Sequence, residues 1–188
     1  LKMRIAGLAG NIAARVGVVP QQIAPGDIYP ALERGTIDAV EYIGPYDDEK
    51  LGLHKVTQRY YSPGWQEGGT IFHAVFNQAK FAELPPMYKK AIEIASQAVT
   101  TDMLAHYDAR NPEALMRLIG AGVTVSIFPN DVLTKIYEEA EAFYKGIVSS
   151  NPDFATMFNH QREFMSKSNK YQQVADFQYD LMMYRMRR

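Results

Sequence analysis

Three stretches decide how this chain folds: KMRIAG at 2–7, GDIYPALERGTIDAVEYIGPYDDEK at 26–50 and YYSPGWQEGG at 60–69. KMRIAG reads as a short strand. LAGNIAARVG after it reads as a helix closed by Gly17, because a glycine just past a helix enters the left-handed region without a Cβ clash. Val18–Gln22 is a second candidate strand. Asp27 can cap a helix running to Arg34 and closed by Gly35, with Pro30 near its first turn, where proline is tolerated. Ile37–Ile43 follows as a mostly apolar strand carrying Glu41 near its end. Strand, helix, strand, helix, strand is the alternation of an α/β fold.

Outward from there the punctuation changes. Gly44-Pro45 breaks the chain, and DDEKLG starts a short helix with acids in the first turn, where the helix dipole favours them. His54–Tyr61 reads as extended up to the turn Ser62-Pro63-Gly64, and Thr70–Phe76 as a β-branched and aromatic strand. Pro85-Pro86 begins a helix with Ile92, Ala95, Val99 and Met103 at helical spacing, and Asn111-Pro112 begins another that ends at Gly120 or Gly122. Val123–Phe128 is a strand, and Asn130 caps a helix to about Val148. Beyond Pro152 no glycine or proline occurs up to Arg188, which predicts one helix about 55 Å long at 1.5 Å per residue. Its aromatic and methionine side chains lie on more than one face, so it must bend, project or pack on a second molecule. The expected division is an α/β portion over 1–150 and this helical tail over 151–188.

Composition removes several function classes. At 47% hydrophobic and 22% charged residues, the 188-residue chain has the balance of a folded globular protein. A net charge of −1 gives no broad grip on nucleic acid. No apolar run reaches the roughly eighteen residues of a membrane span. With no cysteine, disulfides, thiolate metal sites and a cysteine nucleophile are excluded. Leu1 is no initiator and no leader precedes the first strand, so the chain is expected to begin inside a fold.

The candidate chemistry lies in the three opening stretches. Arg4, among Met3, Ile5 and Ala6, is either a surface arginine on an edge strand or a guanidinium set at a cleft to clamp a carboxylate bidentately. Glu41 is either solvated at an exposed strand end or held at the carboxyl end of a strand, where α/β proteins keep their ligands. Trp65, the single tryptophan, is a pocket wall or the cap of a local core, and Glu67 with Glu41 would offer two hard oxygen ligands to sodium or calcium. Asp47, Asp48 and Glu49 miss the spacing of a calcium loop and read as a helix start. The G-x-x-G of Gly7 and Gly10 is not a dinucleotide fingerprint, and His73 reads as a packed strand residue. No nucleophile with an obvious base, P-loop or HExxH pair is present.

KMRIAGLAG, IYPALERGTIDAVEYIGPYDD and YYSPGWQEGG together resemble the extracytoplasmic solute-binding subunits of TRAP (tripartite ATP-independent periplasmic) transporters, and among them the members that bind 2-oxo acids. The resemblance covers the whole chain as the C-terminal part of such a protein. It implies a periplasmic, two-lobed binding protein, not an enzyme, that closes on a small organic acid such as pyruvate and delivers it to membrane subunits. The family's ligand-pairing arginine matches Arg4. A bridging sodium or calcium ion has ligands matching Glu41, Tyr42 (through its carbonyl) and Glu67, while a further glutamine ligand falls outside this chain. Those relatives usually carry tryptophan at Tyr42. Their long C-terminal helix exchanges between two subunits, which implies a homodimer through 152–188. The rival reading is a metal-dependent enzyme acting on a small carboxylic acid, with Glu41 or Glu67 as base.

Overall fold

The computed structural model describes residues 1–187 apart from Glu67 and Thr70. It divides into two compact units, Leu1–Ile136 and Tyr137–Arg188.

The first unit opens on a three-stranded parallel sheet in the order β2-β1-β3, formed by β1 (Lys2–Arg4), β2 (Val19–Gln21) and β3 (Ala39–Val40). Met3 pairs with Pro20 on one side and Ala39 on the other, and Arg4 with Gln21 and Val40. The crossovers are α1 (Gly7–Arg15) and α2 (Pro25–Glu33), the right arrangement for parallel strands, which cannot be joined by a tight turn. Each helix stops where the glycines predict. The N–H of Gly17 bonds Ala14 O and that of Val18 bonds Ala13 O; Gly35 and Thr36 repeat the pattern on Leu32 and Ala31. This Schellman closure needs a left-handed residue, and Gly17 and Gly35 have φ of 89° and 68°. Gly10 has a different reason: a Cβ there would lie 3.2 Å from the carbonyl oxygen of Ile5, so the glycine lets α1 lie against the end of β1. Ile5, Ile12, Ala13, Ile28 and Ile37 form the buried core between helices and sheet.

Beyond β3, α3 (Pro45–Lys50) leads through a 3₁₀ turn at Leu53–Lys55 to β4 (Arg59–Ser62). The expected strand over His54–Tyr61 is therefore half turn and half strand. β4 pairs in parallel with β5 (Thr124–Ile127), with Tyr60 opposite Val125. Between them lie α4 (Gln78–Glu83) and α5 (Pro86–Gly120). The two helices predicted around Pro112 are one 35-residue helix. Proline removes one backbone hydrogen bond there, and the helix continues through it. The predicted strand at 70–76 is not present: Thr70 lies outside the described residues, and 71–77 has no regular structure and is exposed, including His73. A β-rich composition makes a strand only where another strand offers its edge.

The second unit holds the rest of α6 (Asn130–Ser150), then α7 (Pro152–Val174) and α8 (Asp176–Met186). Asn151 caps α7 by accepting from the Phe154 N–H at 3.0 Å. Arg162 donates to both carboxylate oxygens of Glu141 at 2.8 and 2.9 Å, and Tyr144, Phe154 and Phe158 stack with centroids 5.2–6.4 Å apart. The single helix expected from 152 onward is interrupted at Ala175, whose φ and ψ of −104° and −100° leave the helical region. The acid at Asp176 suits the new first turn. Met157, Phe164, Tyr171, Val174, Phe177 and Tyr179 are all more than half exposed.

Candidate functional site

Arg4 ends the central strand of its sheet, so it is not a surface residue on an edge strand, and its side chain is only 16% exposed. Glu41 follows the last residue of β3 and its N–H donates to the carbonyl of Arg4 at 2.9 Å, which fixes the two strand ends side by side. The side chains meet there as well. Arg4 Nη1 donates to the Glu41 backbone carbonyl at 2.6 Å and to Oε2 at 3.3 Å, while Nε donates to the Ile23 carbonyl at 3.4 Å. The Tyr42 ring faces the guanidinium with its centroid 5.7 Å away. The sequence could not show this meeting, because only the strand order brings residues 4, 23 and 41 to one edge.

The arrangement can hold an acid. The Arg4–Glu41 contact is single-pronged, with the longer contact at 3.3 Å, so it is not the two-pronged fork that saturates a guanidinium. The site lies at the carboxyl ends of parallel strands, the usual ligand position of such sheets.

A cavity of about 1120 Å³ opens alongside, walled by Met3, Glu41, Tyr42, Tyr60 and Trp65 among mostly apolar neighbours. Arg4 is not itself a lining residue, but it touches two that are, Glu41 and Tyr42. This volume exceeds the roughly 300–1,000 Å³ of ordinary small-molecule pockets, so the whole cavity is not the ligand site. Trp65 is half-buried in its wall. Glu67 lies outside the described residues.

The acids of α3 form the helix start the sequence predicts, and one of them is buried. Asp48 is 8% exposed and accepts a 2.6 Å hydrogen bond from the Tyr60 hydroxyl at Oδ2, while its buried Oδ1 has no partner. Burial pushes its carboxyl up to about 6; the Tyr60 hydroxyl and the nearby N–H groups of Ile43 and Gly44 oppose the shift, and Asp47 adds to it. The Tyr60 phenol is in turn pushed well above the ordinary tyrosine range by burial and by the Asp48 charge. The Asp47 carboxylate beside the Tyr107 phenol pushes that phenol up to about 12, while the buried Oδ2 of Asp47, like Oδ1 of Asp48, has no hydrogen-bond partner. Glu49 pairs bidentately with Arg117 at 2.8 Å, which lowers its pKa. No pattern of spacing distinguishes the buried acid from its two neighbours.

A polar cluster at the carboxyl edge of a parallel sheet, beside a largely apolar cavity, defines an α/β ligand-binding module. The chain belongs to the DctP family of bacterial extracellular solute-binding proteins, family 7, whose model matches residues 1–151. It is 36% identical over 180 residues to a monocarboxylate 2-oxoacid-binding periplasmic protein of Nostoc sp., covering 96% of this chain and 50% of that protein. A TRAP transporter solute-binding protein from Bordetella bronchiseptica is 44% identical with a TM-score of 0.92, over 99% of this chain and 55% of that one. That structure is a mixed-occupancy dimer with copurified calcium and picolinate in the bound active site, against an apo site. A TRAP periplasmic solute-binding protein from Pseudoalteromonas atlantica, with bound sodium and pyruvate, is 30% identical with a TM-score of 0.87, over 95% of this chain and 55% of that one.

The chain thus spans about half the length of these relatives. The α/β solute-binding fold expected from the sequence is the observed one. The relatives are binding proteins rather than enzymes, and the expected periplasmic setting agrees with their names. Among the described residues no helix is long and apolar enough to cross a membrane.

Proposed function

We propose that the protein is the periplasmic substrate-binding subunit of a TRAP transporter, capturing a small 2-oxo acid such as pyruvate together with a cation and delivering it to membrane subunits. The observation that carries this reading is the meeting of Arg4, Glu41 and Tyr42 at the carboxyl ends of β1 and β3. Arg4 pairs with the ligand carboxylate, a task suited to a planar fork. Glu41, the Tyr42 carbonyl and Glu67 form the cation set, and Trp65 is a wall of the pocket.

The donors suit a hard cation, since all are oxygens and none is nitrogen or sulfur. Among the described residues no three acidic, histidine or cysteine side chains are grouped so as to hold a metal ion by themselves, and in this reading the ligand and the complete protein supply further oxygens. A bound sodium or calcium ion supplies a positive charge to the ligand's carboxylate and keto oxygens. Glu41 keeps the guanidinium oriented towards that position, and the Tyr42 ring limits how the guanidinium can swing.

In this reading residues 1–150 are the α/β portion and 151–188 pair with a second copy, the exposed aromatic and methionine side chains of α7 and α8 being the contact. The test is a Trp65 fluorescence titration of the full-length protein with pyruvate and longer 2-oxo acids, with a Trp65→Phe control. It is run with calcium, with sodium alone and after chelation, and the added acid is then recovered. Saturable binding of intact acid supports the proposal. No response to any 2-oxo acid removes the ligand assignment, and consumed acid removes the binding-protein reading.

A further inference from the structure

Asp48 is the one charged residue among the described residues that is buried, and the site as proposed makes no use of it. A buried carboxylate with an unpartnered oxygen is costly to keep, so its location matters. On one side it sits in the first turn of α3, where its N–H bonds the Gly44 carbonyl at 2.9 Å. That turn starts within three residues of Tyr42, and the Tyr46 N–H holds it to Asn111 of α5 at 3.1 Å. On the other side, Tyr60 is fixed in β4 by its pairing with β5, five residues before Trp65 and seven before Glu67. The 2.6 Å bond between Asp48 and Tyr60 therefore ties the segment that delivers Glu41 and Tyr42 to the segment that delivers Trp65 and Glu67.

We infer that Asp48 and Tyr60 are a positioning pair, whose buried carboxylate–phenol bond sets the spacing between the two chain segments that carry the ligand- and cation-binding residues. The inference rests on the site proposed above. A single polar tie suits the task because both ends are directional: a hydroxyl donor and one carboxylate lone pair fix angle as well as distance. Apolar contact alone would let the segments slide. The surrounding charges do not substitute for it, since Glu49 is taken by Arg117 and Lys50 lies over the Tyr46 ring at 3.9 Å.

The test uses Tyr60→Phe, which removes the donor and keeps the ring, and Asp48→Asn, which keeps an acceptor and removes the charge. In the full-length protein with calcium, Tyr60→Phe should weaken pyruvate binding about tenfold at pH 8, the loss of one hydrogen bond to a charged group. The wild type should lose affinity as pH falls through about 6, where Asp48 takes up its proton. Asp48→Asn should be weak and flat over that window. His54 of the 3₁₀ turn and His106 of α5 are the neighbouring imidazoles, and His54→Gln and His106→Gln controls should keep the wild-type slope. Hydrogen exchange without ligand reads the same tie independently: Tyr60→Phe should speed exchange in both 42–46 and 61–66 while α1 is unchanged. Exchange confined to one segment, or unaltered pyruvate affinity in both variants, overturns the inference. If the wild type binds no 2-oxo acid, the ligand reading fails and the exchange result alone decides on the pair.

Discussion

Replacing Asp48 with asparagine should make the protein's stability less sensitive to pH in a calculable way. The carboxyl titrates at about 6 in the fold against an ordinary 3.8. About two pH units at about 1.4 kcal/mol each means that the fold disfavours the ionised group by about 3 kcal/mol. Between the two values the folded state holds the proton more tightly than the unfolded chain, so stability falls as pH rises. The contribution is fully present below 3.8 and lost as pH passes through about 6. At pH 8 the wild type carries the whole penalty, and the asparagine variant carries none of it. The amide gives some of this back, because its NH₂ inherits the unpartnered position of Oδ1 and the Tyr60 bond becomes a neutral one, a loss of about 1–2 kcal/mol. At pH 8 the variant should therefore equal or slightly exceed the wild type, while at pH 4 it should be the weaker. The difference between them should move by about 2.5 kcal/mol across that range. Urea unfolding of the ligand-free full-length protein at several pH values measures it. A difference that stays constant with pH would show that the Asp48 carboxylate is not buried in the way its hydrogen bond and exposure require.

Three further outcomes follow from the site and the tail. Arg4→Lys should weaken pyruvate binding about tenfold or more in a calorimetric titration, since an ammonium cannot reproduce the guanidinium fork; unchanged affinity would remove Arg4 from the site. Glu67→Gln should lower calcium-dependent pyruvate binding by a larger factor than it shifts the thermal midpoint, and equal affinity with and without calcium would take Glu67 out of the cation set. Truncation after Ser150 should convert a dimer to a monomer in sedimentation velocity while pyruvate still binds. A truncated dimer would move the interface elsewhere.

Some of this architecture is written in single residues. Gly17 and Gly35 end helices because a Schellman closure requires positive φ, and Gly122 does the same before β5, its N–H bonding Ile119 O and that of Val123 bonding Leu118 O. Such local requirements are legible without tertiary knowledge. The pairing of Arg4 with Glu41 is not, because it depends on β1 being central, and strand order is set by long-range packing. Asp48 shows the same limit: beside Asp47 and Glu49 it is one of three acids in a short helix, and what singles it out is its burial and its bond to Tyr60, twelve residues on. Pro112 and Ala175 fail in opposite directions. A proline that should break a helix is carried through one held by Asn111 and Arg117 to α3, and an alanine that should continue a helix interrupts it.

The long helix α5 has a mechanical consequence. Its contacts with α3 run through its carboxyl half, at His106, Tyr107, Asn111 and Arg117, whereas Met87, Ile94, Val99 and Leu104 nearer its start are exposed. It is a lever with its fulcrum beside the segment that bears Tyr42. From His106 back to Pro86 the arm measures about 30 Å at 1.5 Å per residue, so a tilt of about 10° at α3 would displace its tip by about 5 Å. A small shift at the Glu41–Tyr42 end would thereby become a movement about as large as a helix turn at the opposite end of the rod.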